Sequence, residues 1–323
     1  MATTPELGFC GVFSESKKIV NAHSRLFLAL SVLFLLPLSF SLIAFPTLQH
    51  AVMESDTDQT EILLSYTNHQ RIGIRTIVLS LIYFLTIFTL SLCATGTITY
   101  SVFHGFFGRP VKLASAIKSL SNSLLRLFVT VFCAQIIVLA VSVLIRLLVY
   151  LVIEWIGFLG FQVSAVVYGI GLGVWGLGLV YLQVNWALAC VVVVVESSWG
   201  LEALRRSAYL VRGMRGVAVS LLLFFGSVTG IMLWSYSGSF MGLGGVGNGW
   251  KEDLIFVVGN VAASALVNLM LLHSVAANTV LYMYCKALHG ELAGEIADEF
   301  AQEYVSLPFD EEKVPNLVSV VQP

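Results

Sequence analysis

LLRLFVTVFCAQIIVLAVSVLIRLLVYLVI, residues 124–153, decides the fold. Its only charges are Arg126 near the start and Arg146 near the end. A hydrocarbon core about 30 Å thick is crossed by roughly 20 residues of helix, and lipid cannot satisfy backbone groups left unpaired. The run is therefore a membrane span rather than the core helix of a soluble protein. Five more stretches meet the same test, giving spans at Leu26 to Leu48, Ile72 to Ile98, Leu124 to Ile153, Val163 to Val195, Val217 to Trp234 and Leu254 to Cys285. The predicted fold is all-α: a polytopic membrane helix bundle of six transmembrane helices with cytosolic interfacial helices.

Composition agrees. Of 323 residues, 58% are hydrophobic and 11% charged, whereas a soluble domain carries roughly a quarter charged residues. The first span is too long for a signal peptide and no small-residue cleavage site follows it, so it is expected to be a signal anchor. Three regions result: a cytosolic N-terminal segment (1–25), a six-helix membrane domain (26–285) and an acidic cytosolic tail (286–323).

Orientation follows from charge. Lys17, Lys18 and Arg25 precede span 1; Arg109, Lys112, Lys118 and Arg126 join spans 2 and 3; Arg205, Arg206, Arg212 and Arg215 join spans 4 and 5; Lys286 and Lys313 follow span 6. The opposite side has Arg71, Arg75 and Lys251, beside Glu54, Asp56, Asp58 and Glu61. By the positive-inside rule both termini are cytosolic. That topology puts none of Cys10, Cys93, Cys133, Cys190 and Cys285 in a luminal loop, so no disulfide framework is expected. Cys93, Cys190 and Cys285 fall near cytosolic helix ends, where palmitoylation is chemically open, though small apolar packing residues are the simpler reading. There is no N-x-S/T sequon.

Each pair of spans is preceded by a polar, amphipathic segment: FSESKKIVNAHSRLF (13–27), LASAIKSLSNSLLRLF (113–128) and GLEALRRSAYLVRGMRGV (200–217). Arg25, Arg126 and Arg215 stand at the membrane boundary in each. This weak repeat is also what a shared topological requirement produces. In the third segment Leu201, Leu204, Ala208 and Val211 make one apolar face, which predicts a surface helix lying in the headgroup region. Gly213 and Gly216 permit the turn into span 5. Arg205, Arg206, Arg212 and Arg215 are the candidate contacts for lipid headgroups or for the acidic tail.

That tail holds Glu291, Glu295, Asp298, Glu299, Glu303, Asp310, Glu311 and Glu312 against one lysine. Leu288, Leu292, Ile296, Phe300 and Tyr304 recur every fourth residue, predicting an amphipathic helix to about Val305. Its charge makes it a partner for the basic segment or for another protein.

Within the spans, YGIGLGVWGLGL carries Gly169, Gly171, Gly173, Gly176 and Gly178. Phosphate-cradling glycine loops need a water-exposed strand-to-helix turn, and this run lies inside an apolar stretch. Gly169 and Gly173 instead predict a small-xxx-small packing face, and the stretch needs tilt, a break at the glycines or an interfacial extension to fit the bilayer. In span 6, Asn260, Ser264, Asn268, Ser274 and Asn278 fall within an arc of about 120° at 100° per residue. This candidate intramembrane polar stripe is either interhelical hydrogen bonding or the lining of a cavity. One of Gln183 and Asn185 can face it. His273 points away from it and reads as a packed or interfacial histidine. Arg146 has nineteen residues before it from Leu127, enough to snorkel to the far interface near Glu154. Pro37 predicts a kink in span 1.

ESKKIVNAHSRLFLALSVLFLLPLSF (15–40) and NWALACVVVVVESSWGLEALRRSAYLVRG (185–213) resemble plant multi-pass membrane proteins of unknown function, some of which carry the label "polyadenylate-binding protein 1-B-binding protein"-like. More distantly, ALRRSAYLVRG resembles the cytosolic connector in the membrane domain of some glycerophosphodiester phosphodiesterases. Those enzymes carry their chemistry on a separate soluble domain, which is not expected in this sequence, so the resemblance implies a membrane bundle, and neither phosphodiesterase activity nor poly(A)-protein binding carries over from it.

Familiar enzyme motifs are absent: no HExxH, Cx2C pair, GxSxG or Walker loop, and six scattered histidines. No cofactor and no metal is expected. The expected function is a non-enzymatic lipid-binding or scaffolding protein of the endoplasmic reticulum or another endomembrane, with membrane lipids and a cytosolic protein as partners and no nucleic acid. The alternative is a transporter or channel for a small or lipidic solute.

Overall fold

The computed structural model describes residues 8–43, 74–109, 111–158, 165–243, 250–292 and 294. Among them every regular element is helical. The acidic tail from residue 295, the loop with Glu54 to Glu61 and the Asn260 side chain lie outside the described residues.

Among the described residues nine helices follow one another: α1 (Phe9–Ala22), α2 (Ser24–Ile43), α3 (Ile74–Phe106), α4 (Leu113–Phe158), α5 (Ala165–Asn185), α6 (Ala189–Val195), α7 (Leu201–Leu210), α8 (Arg215–Leu243) and α9 (Trp250–Leu288). Among the described residues six stretches are long and apolar enough to cross a membrane: Ser24–Ile43, Ile77–Phe106, Ser123–Trp155, Tyr168–Val195, Arg215–Ser235 and Val261–Leu288. This is the all-α, multi-pass bundle expected, with shifted edges. The second spanning helix runs on to Phe106, because TITYSVFHGF still has a buried face formed by Ser101 and Val102.

The three boundary segments take different forms. The first is a separate helix, α1, whose Val12, Ser16, Ile19 and Val20 are buried. Phe13 packs edge-on against Phe224 and tilted against Phe225 and His273, docking α1 on α8 and α9. The second is no separate helix: residues 113–122 are the opening turns of α4, since no glycine or proline interrupts LASAIKSLSNSLLRLF. The third is α7 with a 3-10 turn, Val211–Gly213, leading into α8.

Two other features depart from expectation. The long fourth stretch breaks at Trp186 to Leu188, between α5 and α6, rather than at its glycines. Gly169 and Gly173 face no neighbour, whereas a Cβ on Gly171 would lie 3.0 Å from Val149 and one on Gly178 3.6 Å from Ile145. The close face of α5 is therefore the Gly171/Gly178 pair, seven residues apart, because α4 packs on that side. Pro37 is accommodated by a π turn at Ser31–Leu35, where the wider spacing relieves the clash of its ring with the preceding turn.

Burial is concentrated at one end. Leu92 to Val102 of α3, Ala116 to Thr130 of α4, Val184 to Val193, Ala218 to Phe225 and Leu272 to Lys286 hold most of the buried positions. This is the end where α1, α7 and the loop from α3 to α4 gather, called here the basic end.

Candidate functional site

α7 caps the basic end, and its apolar face is turned the other way from the sequence expectation. Ala203, Leu204, Ser207, Leu210 and Val211 are buried in the bundle, while Leu201 is 53% exposed. The face meets protein rather than headgroups because Ser207 and its neighbours fit the break after α5. There the Ser207 hydroxyl donates to the Asn185 carbonyl oxygen at 2.8 Å, satisfying a group freed by the end of that helix.

The link from α6 to α7, Glu196 to Gly200, is held at two points by α4. Arg126 Nη1 of α4 donates to the Ser197 carbonyl at 3.2 Å. The Gly200 N–H donates to Thr130 Oγ1 at 2.8 Å. Ser197 has φ of 59° and Gly200 φ of 62° with ψ of −134°, the second a conformation that side chains resist.

Glu196 is the centre of an ionic cluster. Its carboxylate receives Arg206 Nε at 3.0 Å and Nη2 at 3.3 Å, a side-on pair, and the Tyr282 hydroxyl at 2.9 Å. Lys286, only 7% exposed, places Nζ 3.7 Å from the same carboxylate. The other edge of the Arg206 guanidinium binds Glu291, through Nη1 to Oε1 at 3.1 Å and through Nη2 to Oε2. Two cations and two carboxylates thus neutralise each other across α6, α7, α9 and the first residues of the tail. Arg206 also lies 5.8 Å from the Tyr209 ring, and that ring packs on His289.

Glu291 reaches Arg206 because Gly290, at φ of 74°, ends α9 and turns the chain back. Hydrogen bonding from Arg206, more than burial, sets the electrostatics: it holds the Glu291 carboxyl below the usual carboxylate range, and the two carboxylates raise Arg206 still further. A carboxyl with a lowered folded value stabilises the contact above its unfolded pKa of about 4.3, and that stability is lost as pH falls through the folded value. Hydrogen exchange over residues 286–292, corrected for intrinsic rate, is expected to show protection at pH 6 that disappears toward pH 3. In Glu291→Gln the protection is low at both. A wild-type profile flat with pH, or a Glu291→Gln profile like it, refutes this account.

The remaining arginines of the segment behave differently. Arg205, Arg212 and Arg215 are exposed and make no ion pair with a described carboxylate. Exposed Trp199 and Tyr209 stand among them. The polar stripe of α9 is only partly assembled: Ser264 is buried, Ser274 and Asn278 are half-buried, and Asn268 Oδ1 is buried without a hydrogen-bond partner. Gln183 faces outward and Asn185 is bonded to Tyr181 of its own helix, so neither joins the stripe. Arg146 lies 5.9 Å from the Trp175 ring, whose indole donates to Ser142. Cys285 is fully buried, consistent with packing. Among the described residues no three His, Cys, Asp or Glu side chains converge as a metal site would require.

Sequence reasoning missed Glu196, Tyr282 and Lys286 as a site. Tyr282 and Lys286 share a helix face at i, i+4, and Glu196 is the lone acid ending an apolar run. Those two signals together point to a buried ion pair.

Fold and site together define a multi-pass, all-α membrane protein with an ionic clamp at its basic end. The chain belongs to the family described as a domain of unknown function (DUF8558), whose match covers residues 3–308. No curated protein and no solved structure matches the chain.

Proposed function

We propose that the protein is a non-enzymatic, lipid-binding or scaffolding component of the endoplasmic reticulum or another endomembrane, with its basic end and both termini in the cytosol. The observation that carries this reading is the unequal treatment of the four arginines. Arg206 is neutralised within the fold, while Arg205, Arg212 and Arg215 present positive charge outward beside Trp199 and Tyr209. Each such charge near an anionic leaflet is worth about 1 kcal/mol, and Trp and Tyr favour the headgroup level. The acidic tail suits a cytosolic protein partner. Kinship with the plant multi-pass proteins, and more distantly with phosphodiesterase membrane domains, is part of the same proposal.

The test uses full-length protein in vesicles containing brominated phosphatidylserine or brominated phosphatidylcholine. Tryptophan quenching is expected to reveal enrichment of the anionic lipid, abolished by Arg205→Gln, Arg212→Gln and Arg215→Gln together and weakened by salt. Equal quenching by both lipids in the wild type overturns the reading. Protease protection of tagged termini in isolated membranes tests the topology.

The transporter alternative has one supporting observation, the unpartnered Asn268 Oδ1. Its flanking residues Ala263, Val267, Leu272 and Ala276 are buried and apolar, which favours packing over a path. Solute flux in vesicles that is lost in Asn268→Leu would move the balance to transport.

A further inference from the structure

Consecutive side chains leave a helix about 100° apart, so the clamp that takes Arg206 inward sends Arg205 outward. Arg205 lines an open groove of about 250 Å³ with Ile137 of α4, Trp186 at the break between α5 and α6, and Leu201, Leu204 and Ala208 of α7. Among the described residues the arginine is the one charged side chain lining it. Ile137 lies eleven residues beyond Arg126 on one continuous helix, about 16 Å at 1.5 Å per residue, which is hydrocarbon depth. Its neighbours Ile136 and Leu139 are exposed on the outside of the bundle, so the groove opens toward lipid rather than toward a protein interior.

We infer that this groove binds one anionic phospholipid, with the phosphate on the Arg205 guanidinium and the first methylenes of an acyl chain along Ile137, Trp186, Leu201 and Ala208. An arginine at the edge of hydrocarbon needs a counterion. No described carboxylate supplies one, and the bilayer offers phosphate at its boundary, which the long Arg205 side chain reaches from the headgroup side of Ile137. The planar guanidinium fork matches two phosphate oxygens, and the indole of Trp186 suits the boundary between headgroup and chain. The inference rests on the headgroup reading above and narrows it to one lipid in one place.

Native mass spectrometry of the full chain, titrated with dioleoyl phosphatidylglycerol against dioleoyl phosphatidylcholine, tests it. The wild type is expected to hold one phosphatidylglycerol more tightly than phosphatidylcholine. Arg205→Gln should weaken that adduct about fivefold. Ala208→Phe should fill the groove and remove the single tight adduct while leaving the enrichment of anionic lipid around the bundle. Ile137→Trp blocks the groove from the lipid side and replaces Ala208→Phe if size exclusion shows that variant misfolded. Unchanged binding in Arg205→Gln and in a folded groove-filling variant overturns the groove and leaves the headgroup reading standing. Displacement of the lipid by excess inorganic phosphate also overturns it, since headgroup chemistry alone would then suffice. A wild type that prefers neither lipid overturns both.

Discussion

Glu196→Ala is expected to destabilise the protein by about 2–4 kcal/mol, well above the effect of Glu291→Ala. Removing one member of a buried ion pair costs about 3–5 kcal/mol because the partner's charge stays behind without compensation. Here Arg206 loses its side-on pair and keeps only the edge bound to Glu291, the nearly buried Lys286 loses the carboxylate 3.7 Å away, and the Tyr282 hydroxyl loses its hydrogen bond to Glu196. Water recovers part of the loss, since the Glu196 and Arg206 side chains keep 19% and 28% of their exposure. Glu291→Ala removes a carboxylate at the more exposed edge, 32% accessible, and leaves the side-on pair intact, so about 1 kcal/mol is expected. Thermal unfolding in detergent, followed by tryptophan fluorescence and size exclusion, should separate the two variants clearly. Equal midpoints would mean that Glu196 is not the centre of the cluster.

Gly200→Ala is expected to cost about 1–3 kcal/mol although a Cβ there would touch nothing within 4 Å. The penalty comes from the backbone: φ of 62° with ψ of −134° is open to glycine and strained for alanine. Relaxing that strain means turning the Gly200 N–H away from Thr130 Oγ1 and moving the start of α7, and with it Arg206. Thr130→Val, which deletes the acceptor and keeps the backbone, should cost about 1 kcal/mol. A Gly200→Ala melt that coincides with wild type would show that the link from α6 to α7 is free to adopt another course.

The spans were legible because apolar length is a one-dimensional signal, and residues 124–153 reach it without help from any partner. The direction of a helix face is a different matter. Leu204 and Val211 were recognisable as one stripe of α7, but bilayer and bundle are both apolar, so the stripe could not tell which it meets. The same ambiguity reversed the glycine face of α5: Gly169/Gly173 and Gly171/Gly178 are both close-packing patterns, and only the position of α4 chooses between them. The arginine segment stood out by composition, yet the difference between Arg205 and Arg206 depends on Glu196 and Glu291. These lie 10 and 85 residues from Arg206, and the break at Trp186 and the turn at Gly290 bring them together.

The uneven distribution of buried residues has a mechanical consequence. Among the described residues none is buried in α4 after Thr130, in α5 before Val184, in α3 before Leu92 or in α8 after Phe225. In these four helices the spacing is set at the basic end by side chains and ion pairs, while α9 keeps Ala263, Ser264 and Val267 buried farther along the bundle. The packing of α3, α4, α5 and α8 is therefore anchored in the half of each helix that adjoins the Glu196 cluster, and α9 is the mast that carries contact beyond it.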